Sequence, residues 1–418
     1  MSNVMVHETD LAVIGGGPAG LGAAIRAKEQ GVKNVLLIER AEELGGVLPQ
    51  CIHNGFGLHY FKEALTGPAY TYKMLQDAQR AGVDFMTKTM AIRVDRENRI
   101  TALSHSKLLE IRPKATVLCM GCRERSFGAL RIPGTRPAGI YTAGTAQRLI
   151  NIEGRLPGRR VVILGSGDIG MIMARRLTLE GAKVLAVVEI MPFIGGLIRN
   201  EVQCLRDFNI PVYVSHTIKE VRGTDRVEKI VITRVDQNRR YIPGTEVTFD
   251  ADTLLISAGL IPENELSRMA GIAMNPITGG PVVDNLWQTS TPGFFAGGNV
   301  VHVHDLADYA SESAGMAAVN AARYIDGDRS PDLNITVRAG ENIRYVVPNK
   351  ISKQQETVSF YMRVTWPLAD ATVHIGDIYH RHFQFARPSE QIRIDLPTAD
   401  LAGVQGTLVV SCEGERAV

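Results

Sequence analysis

One arrangement, used twice at a fixed offset, limits what this chain can fold into. The apolar run Leu11 to Ile14 enters a turn on Gly15, Gly17 and Gly20, an alanine-rich helical segment follows, and a second apolar run, Val35 to Ile38, ends at Glu39. That order reads as a strand, a tight turn, a helix and a parallel strand. Each glycine has its own job: Gly15 makes the turn, Gly17 lets backbone approach a pyrophosphate, and Gly20 lets the helix lie close on the sheet. The pyrophosphate belongs at the helix N-terminus, where free N–H groups and the positive end of the dipole face it. Glu39, nineteen residues after Gly20, is placed to accept from a ribose 2'-hydroxyl. The plan recurs from Val161 to Glu189 with every landmark displaced by 150: Gly15 to Gly165, Gly17 to Gly167, Gly20 to Gly170, Glu39 to Glu189, and the pair Gly45, Gly46 to Gly195, Gly196. Shared displacement of all these positions implies two similar dinucleotide-binding units in one polypeptide.

A chain of 418 residues suits two or three domains. Its 46 basic and 44 acidic residues nearly cancel, so no polyanion-binding surface is indicated and nucleic acid is not an expected partner. Cysteine occurs five times, at Cys51, Cys119, Cys122, Cys204 and Cys412, and the polar start MSNVMVHETD runs straight into the first strand. These features give the expectation of a reduced, cytoplasmic protein. No apolar run approaches the roughly 18 to 20 residues of a membrane-spanning helix.

After Glu39 the stretch Gly45 to Gly57 is polar and glycine-rich, which predicts an irregular loop beside a ligand. Tyr72 to Ala81 has helical spacing, with Met74, Leu75 and Ala78 facing inward. Val83 to Val94 and Ile100 to Ile111 read as strands of an antiparallel layer, and Thr116 to Met120 as a separate buried parallel strand. In the second unit Val227 to Val235 and Val247 to Ile256 read as an alternating pair. From Gly293, FFAGGNV (Phe294 to Val300) reads as a short buried strand with a glycine end, and Asp305 to Tyr324 as a helix rich in small residues, with Asp305 as its cap. Past Asp326, strict alternation from Thr357 to Trp366 puts Val358, Phe360, Met362, Val364 and Trp366 on one face and Ser359, Tyr361, Arg363 and Thr365 on the other. The expected organisation is a first nucleotide domain of residues 1–135 and 264–329, a second of 136–263, and an all-β module of 330–418.

With these motifs in view, the sequence from Asp10 to Tyr324 resembles the pyridine nucleotide–disulfide oxidoreductase superfamily. The resemblance rests on the paired glycine turns, the strand end CMGC at Cys119 to Cys122, the IPG crossover, SAGLIPEN, and TSTPGFFAGGN at Thr289 to Asn299. Within the superfamily, LPQCIHNGFG and the HVHD run at His302 to Asp305 are similar to a subgroup of NAD(FAD)-dependent dehydrogenases. That subgroup includes flavin subunits of opine, proline and cyanide-forming amino-acid dehydrogenases and companions of glycerol-3-phosphate dehydrogenases. The implied fold is α/β, with two Rossmann-like domains and a small C-terminal β module. The implied cofactors are FAD on the first unit and NAD(H), in preference to NADP(H), on the second. Nucleotide contacts are implied at Gly15, Gly17, Pro18, Ala19, Gly20, Glu39, Arg40, Gly46, Val47, Met90, Gly121, Gly298 and Asn299, and at Gly165, Gly167, Asp168, Ile169, Glu189 and Gly259.

Two departures separate this chain from the dithiol enzymes. Redox cysteines two and seven residues after the glycine pair are replaced by Leu48 and His53, and Gly139 to Arg160, where the thioredoxin-reductase type carries its pair, has none. Asparagine stands at Asn299 where the family usually has an aspartate; it can still accept and donate. Side-chain candidates for catalysis are Cys51, His53 and His304, with Cys51 read as structural in the absence of a strong activator. Cys119 and Cys122 straddle a strand end with no second pair to complete a zinc site, and no metal is expected. His302, His304, Asp305 and Asp308 are read as the entry to a helix facing the flavin rather than as metal ligands. At Glu189 an acid favours a free ribose 2'-hydroxyl, and only distant Arg199 offers a cation for a phosphate.

The expected function is an FAD-dependent oxidoreductase that accepts hydride from NADH and passes electrons to an acceptor or partner subunit, in a homo- or hetero-oligomer. The β module is expected to dock that partner. Two alternatives stand beside it: a flavin subunit of a multi-subunit dehydrogenase whose second site holds a non-reacting adenine nucleotide, and a nucleotide-sensing flavoprotein without turnover.

Overall fold

The computed structural model describes residues 5–105, 107–328, 333–352 and 354–417. Its contacts form two compact units, one running from the N-terminus to Cys122 and then over Pro262–Arg387 and Gln391–Ala417, the other centred on Arg123–Ile261.

In the first unit the runs predicted as buried strands are buried on both faces. Val35–Ile38 lies between Asp84–Met86 and Met5–Ile14, and Lys107–Leu118 follows on the far side, all parallel, with Leu11 opposite both Val35 and Ala115. Helices on both faces of a parallel sheet demand such continuous apolar strands. Phe294–Ala296 adds to the end of Lys107–Leu118, with Phe294 opposite Thr116. Helix Pro18–Glu29 packs on helix Ala307–Ile325 at a contact only glycine permits: a Cβ on Gly22 would lie 2.8 Å from Ser311 O. Helix Gly67–Arg80 begins earlier than its apolar spacing shows, capped by Thr66 Oγ1, and buries Met74 and Ala78.

Two strand boundaries differ from expectation. The segment Ile100 to Ile111 is a hairpin that turns at His105 (φ 44°), and its second arm continues unbroken as Lys107–Leu118 through the residues expected to start a new strand at Thr116. Apolar spacing hides a turn that lies between two runs of one pattern. Val83 to Val94 likewise divides into Asp84–Met86 in the parallel sheet and Thr89–Val94 in the antiparallel arm.

The second unit repeats the plan. Its parallel sheet runs Ile140–Thr142, Thr253–Ile256, Arg160–Leu164, Lys183–Val188, Val212–Tyr213, and a separate antiparallel sheet holds His216–Arg222, Lys229–Arg234 and Val247–Asp250. The expected strand Val247 to Ile256 therefore serves two sheets. The switch is at Asp252, whose carboxylate accepts from Arg159 N (3.0 Å) and Arg160 N (3.1 Å) and so anchors Thr253–Ile256 beside Arg160–Leu164.

The C-terminal strands form two sheets around one apolar core. Five strands run Lys350–Ser352, Leu333–Ala339, Gly406–Arg416, Leu368–Ile375, Tyr379–Ala386; three run Ile343–Val347, Thr357–Val364, Ile392–Pro397. Val358, Phe360, Met362 and Val364 point into this core, as their period of two predicts. Tyr361, expected on the polar face, is fully buried and joins Tyr345 and Val347 in the core of the first unit. Both faces of Thr357–Val364 are thus covered. The expected start of the module at residue 330 lies outside the described residues. Among the described residues no helix is long and apolar enough to cross a membrane.

Candidate functional site

The first glycine turn is shaped by contacts that exclude side chains. Gly15 (φ +107°) donates its N–H to Ile38 O at 2.9 Å, and a Cβ there would lie 2.4 Å from Cys119 O. A Cβ on Gly20 would meet Gly15 O at 1.7 Å, so the helix lies directly on the turn. Gly17 caps the helix with no side chain, Pro18 and Ala19 follow, and Gly46 (φ +61°) comes so close that its Cβ would be 3.0 Å from Gly17 Cα. Val47 follows Gly46 and is exposed. Gly298 closes the other side, where a Cβ would lie 2.6 Å from Ala19 Cβ. These residues, with Gly121 at the end of Lys107–Leu118, make a bare backbone cradle of the kind a pyrophosphate requires.

Glu39 stands at the ribose end of this cradle. Its Oε2 accepts from Gly16 N at 2.6 Å and its Oε1 from Ala41 N at 2.7 Å. A carboxylate has about four acceptor positions, so two are left for a ribose diol. Thr89 N donates to Glu39 O at 2.9 Å; Met90, the next residue, and Arg40, which follows the acid, are both exposed. The cradle fits FAD on these grounds.

The second turn reproduces the same hydrogen bonds at the offset of 150. Ser166 N donates to Glu189 Oε2 at 3.0 Å and Met191 N to Glu189 Oε1 at 2.9 Å, as Gly16 and Ala41 do to Glu39. Gly165 (φ +102°) lies against Ser257 O, and a Cβ on Gly170 would be 2.5 Å from Gly165 O. Among the described residues nothing lies within 4 Å of a Cβ on Gly167 or on Gly259, so backbone is bare at both positions.

Three details of this second turn were not legible in the glycine pattern. Ser166 Oγ donates to Glu189 Oε2 (2.7 Å), which leaves that carboxylate one acceptor position, and takes Gly195 N (2.7 Å). Asp168 opens the helix and accepts from Leu197 N (2.9 Å) and Asn200 Nδ2 (2.5 Å), with half-buried Ile169 behind it. The third is Arg239, from a distant hairpin, whose Nη2 lies 4.0 Å from Met191 Sδ, two residues past the acid; Arg199 is exposed.

The loop after Gly46 is more ordered than expected. It contains a short turn at Leu48–Gln50 and a strand pair, Asn54–Phe56 with Leu65–Thr66, and it is fixed by Gly57 N and His59 N donating to Asp308. His53 packs its ring on Phe56 at 5.1 Å. Cys51 is buried, its Sγ 3.4 Å from Val47 O, and burial pushes its thiol up to about 12. Burial also raises Cys119, and all five cysteines are thiols. A thiol so far above neutrality carries almost no thiolate. Cys51→Ser is therefore expected to keep turnover within about twofold, and a loss of about tenfold or more would refute this.

The HVHD run does not cap a helix with Asp305. Helix Ala307–Ile325 begins after Leu306 with no side-chain cap, and Asp305 pairs with Arg363 and accepts from Gln391 N at 2.6 Å. A cap must lie one residue before the first helical N–H groups it serves; Asp305 sits one residue too early and finds an arginine instead. His302 and His304 are buried, and burial pulls both imidazoles down, His304 to about 3. Their Nδ1 atoms meet the side-chain amide of Gln391. His304 N donates to Asn299 Oδ1 at 2.9 Å, so Asn299 presents its Nδ2, which lies 3.6 Å from Cys122 Sγ.

Comparison with known proteins bears on what this frame carries. A family profile described as pyridine nucleotide-disulphide oxidoreductase matches residues 9–349. An opine oxidase subunit of Agrobacterium tumefaciens (strain Ach5) is 25% identical over 331 residues, 75% of this chain and 65% of that protein, so this chain spans just under two thirds of it. Hydrogen cyanide synthase subunit HcnB of Pseudomonas protegens is 27% identical over 74% of this chain and 68% of its own. Thioredoxin reductase of T. acidophilum shares the fold with a TM-score of 0.63 at 21% identity, covering 76% of this chain and 99% of that one. The profile runs through both glycine cradles, and on that ground the chain belongs to the pyridine nucleotide-disulphide oxidoreductase family and is an oxidoreductase that works with FAD and a pyridine nucleotide.

Proposed function

We propose that this chain accepts hydride from NADH and passes the electrons to an external acceptor or a partner subunit. When bound, the nicotinamide and flavin supply the hydride chemistry. The chain's own share is to hold and orient: Gly17, Gly46 and Gly298 present backbone to a diphosphate, and Glu39 takes a ribose diol. Asn299 offers an amide N–H, and Glu189 disfavours a 2'-phosphate by its charge. The observation that carries the reading is the second cradle, whose acid, turn and open Gly167 repeat the first. The FAD-binding domain is proposed to comprise 1–135 and 264–329, the NAD-binding domain 136–263 and the β module 330–418, in a cytoplasmic protein whose thiols stay reduced.

An anaerobic titration of the flavin-loaded protein with NADH tests it: bleaching of the flavin at one equivalent is expected, and a flavin that NADH leaves oxidised overturns it. Gly167→Val sharpens the result. With nothing within 4 Å of its Cβ the variant is expected to fold and keep its flavin, while the KM for NADH rises about tenfold or more as the side chain takes the space of the diphosphate.

A second reading is a flavin subunit that receives electrons from a substrate oxidised on a partner, with a non-reacting adenine nucleotide in the second cradle. It is favoured by two relatives that are named as subunits and by Leu48 and His53 in place of a dithiol relay. Docking of the partner is proposed on the edge strand Tyr379–Ala386, which among the described residues pairs on one side only and exposes Phe385 at 58%.

A further inference from the structure

A buried polar cluster of the first unit lies where the C-terminal strands meet His302–Asp305. Gln391 brings its side-chain amide to both imidazoles at once: Oε1 is 3.3 Å from His304 Nδ1 and Nε2 is 3.1 Å from His302 Nδ1. An amide oxygen only accepts and an amide nitrogen only donates. One Nδ1 must therefore carry a proton and the other must be bare. Exchanging the two ends of the amide swaps the assignment and keeps the opposition. The ring that accepts from the amide nitrogen cannot take a proton at Nδ1 without setting two donors against each other.

The cluster leads to the flavin cradle. His304 N holds Asn299 Oδ1 at 2.9 Å, and His304 Nε2 lies 3.3 Å from Ser313 Oγ, which accepts from Gly298 N at 3.0 Å. Gly298 is the residue that closes on Ala19. From the other side Arg363 donates to Val303 O (3.2 Å) and, through Nε, to Tyr345 OH (3.1 Å), and it pairs with Asp305. Every link is buried or half-buried, so each donor and acceptor has to be matched within the protein. Among the described residues His302 Nε2 is buried without a hydrogen-bond partner, and the ring packs against those of His304, Tyr345 and Tyr361 while its Nδ1 meets Gln391.

We propose that Gln391 is a positioning residue of the flavin site: its amide locks His302 and His304 in opposite neutral tautomers, and His304 in turn fixes the Gly298–Asn299 turn against which FAD is held. The proposal rests on the reading of the first cradle as the FAD site. It assigns the C-terminal strands a part in that site in addition to any docking role.

The test uses the full chain with 15N-labelled histidine, whose ring shifts separate the two tautomers, with His302→Gln and His304→Gln supplying the assignments. The wild type is expected to show one Nδ1-protonated and one Nε2-protonated ring, with or without FAD. Gln391→Glu offers acceptors only and is expected to make both rings Nδ1-protonated. Gln391→Leu is expected to raise the FAD dissociation constant about tenfold or more, because two buried imidazole contacts are left unmet. Like tautomers in the wild type, or an unchanged Gln391→Glu pattern, would overturn the proposal. So would wild-type FAD affinity in Gln391→Leu. If Gln391→Leu fails to fold, Gln391→Glu carries the decision through its ring shifts. Failure of the wild type itself to bind FAD would instead sink the reading of the cradle, whatever the ring shifts show.

Discussion

Gly20→Ala is expected to leave a protein that holds no flavin and has lost about 3 kcal/mol of stability or more, at the upper end of what overpacking costs. The added Cβ would stand 1.7 Å from Gly15 O, 2.9 Å from Gly15 C and 3.5 Å from Val13 Cγ1. Two of these are backbone atoms of the turn, which cannot swing aside as a side-chain end can. Relief must come from lifting helix Pro18–Glu29 off the sheet, and that carries Gly17 and Ala19 away from Gly46 and Gly298. The matching change in the second unit is milder, since a Cβ on Gly170 has 2.5 Å to Gly165 O and its next neighbour is Ser257 Cβ at 3.0 Å. Gly170→Ala is the internal control: it should bind FAD with a smaller loss of stability. Thermal unfolding and the flavin absorbance per chain decide the matter, and a yellow Gly20→Ala protein with wild-type melting would refute the packing argument.

The second large effect is expected at Arg363. Its side chain is 12% exposed and that of Asp305 18%, so removal of the guanidinium by Arg363→Ala strands a carboxylate in a place water barely reaches. Breaking a buried pair in this one-sided way costs about 3 to 5 kcal/mol, against at most about 1 kcal/mol for a pair in solvent. Asp305 keeps the Gln391 N–H, and Val303 O and Tyr345 OH lose their donor. Asp305→Asn with Arg363→Ala should be less damaging than the sum of the two single changes, because the double variant has no unmatched charge. Urea unfolding of the four proteins gives the coupling. A single-variant loss below about 1 kcal/mol would show that the pair behaves as a surface contact.

Both nucleotide units were legible in the sequence because their information is local. A turn that needs Gly15, a helix that needs Gly20 and an acid at the end of the next strand fall within one short segment, and repetition at one offset removed the ambiguity of a single motif. The hydrogen bonds of Glu39 and Glu189 then follow the same offset down to the residue two places beyond each acid.

What the sequence concealed depended on distant partners. Alternation marks Tyr361 and Arg363 as the less apolar face of their strand, and solvent is the natural reading; here that face is covered by His302, His304 and Asp305. Asp305 looks like a cap until Arg363 is brought to it. Arg239 was invisible as a neighbour of Met191 because a hairpin from another part of the unit delivers it. Gln391, in a run of polar residues, carries no motif at all. Its importance comes from touching two rings at once.

The strand Phe294–Ala296 carries a further consequence, for the order in which the molecule comes into being. It completes a sheet whose other parallel members all precede Met120, while Arg123–Ile261 lies between them in the chain. During synthesis Thr116 to Leu118 must wait with one edge uncovered until that whole interval has left the ribosome. Domains fold largely as units while the chain emerges, so the inserted one can mature before the one that encloses it. A nascent chain halted just short of Phe294 would then hold a finished second cradle beside an unfinished first.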